Sequence, residues 1–214
     1  MMRRIKFRLF AIVMAACAAA PPVLYAQQTG PLTITLNPAQ TAIRWTLGTT
    51  LHTVHGTFAL KEGSFRVDPA TGDVSGRIVV DASSGESGDS SRDRRMQGDV
   101  LESGSFPEIV YRPSHVSGAI DLASGGDVEL DGTLHLHGKD HPLRLTIHLA
   151  PGGSVTKLTT HFTIPYVEWG MKDPSKVFLH VDKQVALDVN ATFASPPPGP
   201  AKAILHPGEV HTAQ

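Results

Sequence analysis

Histidine carries the most chemical potential in this sequence, with eleven imidazoles among 214 residues. His52 and His55 form one group, His135, His137 and His141 a second, and His148, His161 and His180 stand singly. A zinc-type site needs three or four neutral imidazoles or thiolates converging on one point, with ring nitrogens about 2 Å from the ion. In a strand, His135 and His137 share one face, but it is the polar face, and the step of three from His52 to His55 sends those side chains to opposite sides. No carboxylate or thiolate stands beside them at a diagnostic spacing, so they read first as solvent-facing or turn histidines and no metal ligand is assigned. The competing reading is a histidine-dependent metal-binding protein or metal-assisted enzyme in which His52, His55, His135 and His137 meet at one rim.

Other chemistry is scarce. The sequence has no Gly-x-Ser-x-Gly elbow, no phosphate-cradling glycine loop, no His-Glu-x-x-His pair and no dinucleotide fingerprint, so no catalytic residue and no cofactor are assigned. Two segments remain as candidates for polar or ligand contact. The loop Tyr166-Val167-Glu168-Trp169-Gly170-Met171-Lys172-Asp173-Pro174-Ser175 combines aromatics with turn formers, so Trp169 can either close over a ligand or plug the end of a barrel. The run Arg92-Asp93-Arg94-Arg95 reads as a solvated helix face, with a polar headgroup as its alternative partner.

The elements that must position these residues are bounded by composition. A hydrophobic share of 41% with 18% charged residues fits one globular domain, and a net charge of −1 lacks the basic footprint of a nucleic-acid binder. Arg3, Arg4, Lys6 and Arg8 precede the apolar run Leu9–Ala20, which is too short for a permanent membrane span, so residues 1–26 read as a signal peptide cut after Ala26. Met14-Ala15-Ala16-Cys17 approximates a lipoprotein box and supplies a second, less favoured cut at the single cysteine. Either cut implies a periplasmic or secreted protein, and loss of residues 1–26 leaves 15 basic against 20 acidic side chains. Beyond Phe193 the chain turns proline-rich and polar, so 195–214 reads as a disordered tail and the domain as 31–194.

Within the domain, apolar and polar residues alternate with period two, and turn formers recur about every ten residues. Val128, Leu130, Leu134 and Leu136 oppose Glu129, Asp131, Thr133, His135 and His137. After Gly138-Lys139-Asp140, Leu143, Leu145, Ile147 and Leu149 repeat the pattern against Arg144, Thr146 and His148, which predicts a hairpin. Further strands are expected at 157–164 and 185–193, and earlier at 32–36, 41–47, 51–60, 63–68, 73–82 and 108–118, about ten runs in all. Each has one apolar face and no intervening crossover helix, which specifies an all-β antiparallel barrel or sandwich. The exception is a short helix at about 89–101, capped by Asp89 or Ser90.

In order along the chain, His52-Thr53-Val54-His55-Gly56-Thr57-Phe58, Gly72, Gly76-Arg77-Ile78-Val79-Val80-Asp81-Ala82-Ser83 with Ser87-Gly88, Arg92-Asp93 with Met96, Phe106-Pro107, Gly132-Thr133-Leu134-His135-Leu136-His137-Gly138 and Tyr166-Val167-Glu168-Trp169-Gly170 resemble the exported YceI-like proteins. The resemblance covers about 35–193. It implies a lipocalin-like antiparallel β-barrel around an elongated apolar cavity, with the short helix near the mouth, no catalysis, and a long-chain lipid or isoprenoid as ligand. It also leaves a homodimer open. Phe58, Phe65, Ile78, Phe106, Leu134, Leu145, Phe162 and Trp169 are then the expected pocket residues. Alternation alone does not distinguish a hollow barrel from a filled sandwich core whose exposed loops bind an envelope protein.

Overall fold

The structure is a computed structural model and describes residues 30–195. The predicted leader, 1–26, and the predicted tail, apart from Ser195, lie outside the described residues. The elements are β1 (Leu32–Thr35), β2 (Ala42–Gly48), β3 (Thr53–Val67), β4 (Val74–Glu86), α1 (Ser90–Arg95), β5 (Glu108–Ser117), β6 (Gly126–Leu136), β7 (Lys139–Pro151), β8 (Val155–Ile164) and β9 (Val185–Ala194). α1 runs on into one wide turn, Met96–Val100, in which the Leu101 N–H donates to Met96 O at 2.8 Å. No helix among the described residues is long and apolar enough to cross a membrane.

All pairings are antiparallel, in the order β1-β3-β2-β9-β8-β7-β6-β5-β4, and β3 also pairs with β4. That last pairing closes β2–β9 into a barrel of eight strands, while β1 lies along the end of β3. The all-β barrel with one short helix is thus the architecture that the alternation and the resemblance predict.

Strand limits differ from expectation at two places. The predicted strands 51–60 and 63–68 are one strand, because the register slips between Leu60 and Glu62, a bulge that bends β3 and lets it continue. A Cβ on Gly63 would stand 3.0 Å from Leu36 Cδ1, so the missing side chain makes room for a core leucine. The second difference is the hairpin turn. It is His137-Gly138, with φ of 51° and 73°, and β7 starts at Lys139. Positive φ at both central positions is the type I′ geometry that matches the twist of the flanking strands, so His137 leaves the polar face of β6 on which alternation places it.

On the outer surface of β6 and β7, register converts the polar alternation into a ladder. Asp127 faces His148, Glu129 faces Thr146, Asp131 faces Arg144 and His135 faces Asp140, each pair in hydrogen-bond contact. Such cross-strand pairs help to fix the register of β6 against β7.

The inner faces are packed unequally along the barrel. At one end Ile34, Val67, Val74, Val116, Val128, Leu149 and Phe193 are buried together as a solid plug. Near the other end Gly56 takes the place of a side chain: a Cβ there would lie 2.2 Å from Glu86 O and 2.3 Å from the Trp45 ring. Gly56→Ala should therefore lower stability by about 2–3 kcal/mol through overpacking against backbone. Urea unfolding checks this, and an unchanged midpoint would mean that Trp45 and β4 give way at no cost.

Candidate ligand cavity and its mouth

Above the plug the barrel is hollow. A cavity of about 540 Å³ runs from Leu36 and Phe65 toward the end where β2 meets β3 and β9 begins. Its wall is made of alternate residues on nearly every strand: Ile43, Trp45 and Leu47 of β2, Phe58 and Leu60 of β3, Ile78 and Val80 of β4, Tyr111, Leu134, Leu145, Phe162 and Leu187. Period-two alternation on strands closed into a ring sends these side chains to one interior. Six of the eight expected pocket residues line it, namely Phe58, Phe65, Ile78, Leu134, Leu145 and Phe162.

The mouth is built from three segments. The first is α1 with its following turn, from which Asp89, Arg92, Arg95, Met96, Asp99 and Val100 line the opening. Asp89 caps the helix by accepting from the Ser91 and Arg92 N–H groups at 2.9 and 3.0 Å, and these bonds hold its carboxyl below the usual aspartate value. Arg92 is a structural clamp: Nε donates to Ser87 Oγ at 2.7 Å and Nη2 to Ser87 O at 2.9 Å, while Ser87 Oγ donates to Asp93. Gln97 Nε2 donates to Ser83 O and Gly85 O, both at 2.9 Å, and ties the following turn to β4. Gly85 lets this turn settle, since a Cβ there would stand 2.6 Å from Phe58 and 2.7 Å from Met96. The second segment is the β2–β3 turn, with Thr49, Leu51 and His52 at the opening. The third is the chain after β8, which contributes Tyr166, Met171, Lys172, Asp173, Lys176 and Leu179. Tyr166 Oη donates to Asp182 O at 2.7 Å, and burial, reinforced by Asp173 and Asp182, pushes its phenol up to about 12.

Few polar atoms interrupt the wall. Tyr111 Oη lies 3.0 Å from Leu130 O and 3.2 Å from Leu143 O, in the space left by Gly132, and burial, then the Asp131 carboxylate, raises its phenol above the ordinary value. Trp45 Nε1 and Thr160 Oγ1 are buried without a protein partner among the described residues, and both residues line the cavity.

The model of the YceI-like domain matches residues 34–193 of this sequence. The chain belongs to the YceI-like family. Three solved structures share the fold. BcnA of Burkholderia cenocepacia superposes with a TM-score of 0.61 at 16% identity over 73% of this chain and 98% of its own. A polyisoprenoid-binding domain from Saccharophagus degradans gives 0.56 at 15% identity over 76% and 98%. The YCEI protein of Campylobacter jejuni gives 0.50 at 10% identity over 85% and 94%. No curated protein sequence matches the chain.

The YceI-like barrel does not bring every expected residue to its interior. Phe106 packs outside it, on the His137-Gly138 turn, with its ring 4.6 Å from the His137 imidazole. Trp169 lies flat on His141 of β7, with ring centroids 4.0 Å apart and an interplanar angle of 6°. On the far side of Trp169, Met171 is 4% exposed and lines the cavity, because the turn bonds Trp169 N–H to Pro165 O and Met171 N–H to Tyr166 O carry the chain back inward after the tryptophan. Trp45 and Tyr111 were not singled out by sequence, although Ile43, Trp45 and Leu47 alternate on β2 as clearly as any expected residue.

Nor do the histidines converge. His55 Nδ1 bonds Thr46 Oγ1 at 3.0 Å, His135 pairs with Asp140, and His137 Nε2 reaches Glu102 at 2.8 Å, while His52 stands at the mouth. No group of three or more metal-capable side chains exists among the described residues. The rim site of His52, His55, His135 and His137 is therefore not assembled, since His55 and His135 are paired across different strands and His137 is held in a turn by Glu102.

His141 is the histidine whose environment acts on its charge. Its Nε2 is buried without a protein partner among the described residues, and burial first, then the Lys139 ammonium, lowers the imidazole below its ordinary value. A depressed folded value means that the stabilising effect is complete above pH about 6.5 and is lost as pH falls through the folded value, because the unfolded chain takes up the proton first. Replacing His141 by Gln should flatten the loss of stability between neutral pH and about pH 5. Denaturation midpoints of both proteins across that range give the comparison, and parallel curves would refute it.

Proposed function

We propose that this YceI-like protein is a non-enzymatic, exported carrier that sequesters one long-chain apolar molecule, an isoprenoid or another lipid, inside the barrel. The observation that carries this reading is the hollow, apolar half of the barrel, open at one end and about 540 Å³ in volume, a size typical of small-molecule sites. The name of the Saccharophagus degradans domain, which has the same fold, supports the ligand class. Burial of each methylene yields about 0.8 kcal/mol, so chain length dominates affinity. Trp45 Nε1 and Thr160 Oγ1 favour a chain bearing an oxygen over pure hydrocarbon, because a buried polar atom gains from any partner. Export rests on the basic, apolar leader, and amino-terminal sequencing of mature protein should begin at Gln27.

Lipid extraction and mass spectrometry of natively produced protein should recover a stoichiometric long-chain molecule. With a series of alcohols, affinity should rise about fourfold per added methylene until the cavity is full. Leu134→Trp should abolish binding of the longest members by occupying the cavity, and Thr160→Val should weaken alcohols about fivefold while sparing alkanes. Protein that yields no ligand and shows no dependence on chain length would overturn the reading.

A further inference from the structure

Four large apolar side chains are exposed among the described residues, and three of them stand at the mouth: Leu51 is 75% exposed, Val177 92% and Phe178 93%. The fourth, Val155, begins β8 at the plugged end. Val177 and Phe178 are the central residues of a tight turn closed by Lys176 N–H to Leu179 O at 2.8 Å and Leu179 N–H to Lys176 O at 3.1 Å. Neither residue has a positive φ, so the backbone accepts ordinary side chains, but a turn tip is more often Gly, Pro, Asn, Asp or Ser than Val and Phe. The turn is also fastened to the β2–β3 loop. Thr50 N–H donates to His180 O and His180 N–H donates to Thr50 Oγ1, both at 3.0 Å, which brings Leu51 to the same side of the opening.

We propose that this tip, Leu51 with Val177 and Phe178, seats the open mouth on a lipid bilayer, so that cargo passes between membrane and cavity without crossing water. A second copy of the chain is the weaker occupant. A stable protein interface buries about 800 Å² on each side, and three side chains, of which one is aromatic, supply well under that. A protruding tip also needs a matching pocket on a protein, whereas acyl chains rearrange around it. The charges of the rim agree. Its acids are engaged, Asp89 in capping α1, Asp173 in accepting from Ser175 N–H at 2.9 Å, and Asp99 at 4.0 Å from Lys172. Lys176 adjoins the tip and is exposed, and an ammonium on a long stem reaches lipid phosphates while its apolar neighbours insert. Leu51, Lys176 and Leu179 also line the cavity, so the apolar surface is continuous from tip to interior.

The role of cargo transfer rests on the carrier reading above; the seating itself does not. Purified protein is sedimented with vesicles of phosphatidylethanolamine containing a minority of phosphatidylglycerol. Joint Val177→Ser and Phe178→Ser substitution should reduce vesicle binding about tenfold or more, Leu51→Ser less, and Lys176→Glu about fivefold, the last effect fading at high salt. Val177 and Phe178 are exposed and stand outside the cavity wall, so binding of a short alcohol supplied from solution by the double variant should match the wild type. Vesicle binding that ignores the tip, or a dimer that the same substitutions dissociate while vesicles are not bound, would overturn the proposal. Tip-dependent vesicle binding by a protein whose cavity yields no ligand would support the seating and remove the carrier reading.

Discussion

The bend in β3 between Thr57 and Glu62 lets a single strand hydrogen-bond to β2 along Thr53–Phe58 and to β4 along Ala59–Val67. Without it the sheet would end in two open edges, each a row of unpaired backbone groups. With it the sheet closes, and every inward side chain is committed to one interior. Closure needs slack in the register, which the slips at Thr57/Ala59 and Leu60/Glu62 supply, and it needs close backbone approach, which Gly56 and Gly76 permit. At Gly76, φ is 137° and a Cβ would sit 2.4 Å from Ser64 O, so no other residue fits the β3–β4 contact without strain.

Closure of eight strands leaves an interior that side chains can fill or nearly fill, and this barrel does both. At the plugged end β1 and Leu36 fold across the opening, and Phe65, Phe193 and a set of valines meet in the middle. At the other end no strand crosses. The segments over the opening are α1, which has no buried residue, and the loop after β8, whose inward anchors are Tyr166, Met171 and Val181. The hollow thus follows from where β1 lies and from the shortness of α1 rather than from smaller side chains in the wall.

That origin explains what was legible in the sequence. Strand phase depends on neighbours two apart, so the apolar faces of β6, β7, β8 and β9 and six of the eight expected wall residues could be read directly. The short helix was legible from Asp89, a residue type that caps helices. Features that depend on register or on a turn were not. Asp127 and His148 are 21 residues apart, and only β6–β7 pairing makes them partners. Similarly, His161 meets Asp188 across β8 and β9 at 2.8 Å. Among the described histidines, whose number suggests metal chemistry, four of nine (His55, His135, His148 and His161) resolve into cross-strand pairs of this kind. Trp169 was misplaced because a loop has no period; two residues further on, Met171 makes the contact that the larger aromatic suggests. The break between the runs 51–60 and 63–68 was read as a strand end because a bulge that bends a strand and a gap between two strands look alike in sequence.

The wall and the mouth also differ in how they are held. Between Ala42 and Ala194 each barrel strand is hydrogen-bonded on both sides, so opening the wall would break whole ladders at once. The mouth is held by isolated bonds: the Asp89 cap, the Arg92 clamp on Ser87, Gln97 on two carbonyls, and Tyr166 on Asp182. Segments with few buried apolar contacts and local hydrogen bonds open at a small fraction of the global unfolding free energy. In the carrier proposed above, a bound chain would therefore exchange through the helical cap and the loop after β8, with the barrel intact. The plug keeps the opposite end shut, so a molecule that leaves tail last must also have entered tail first.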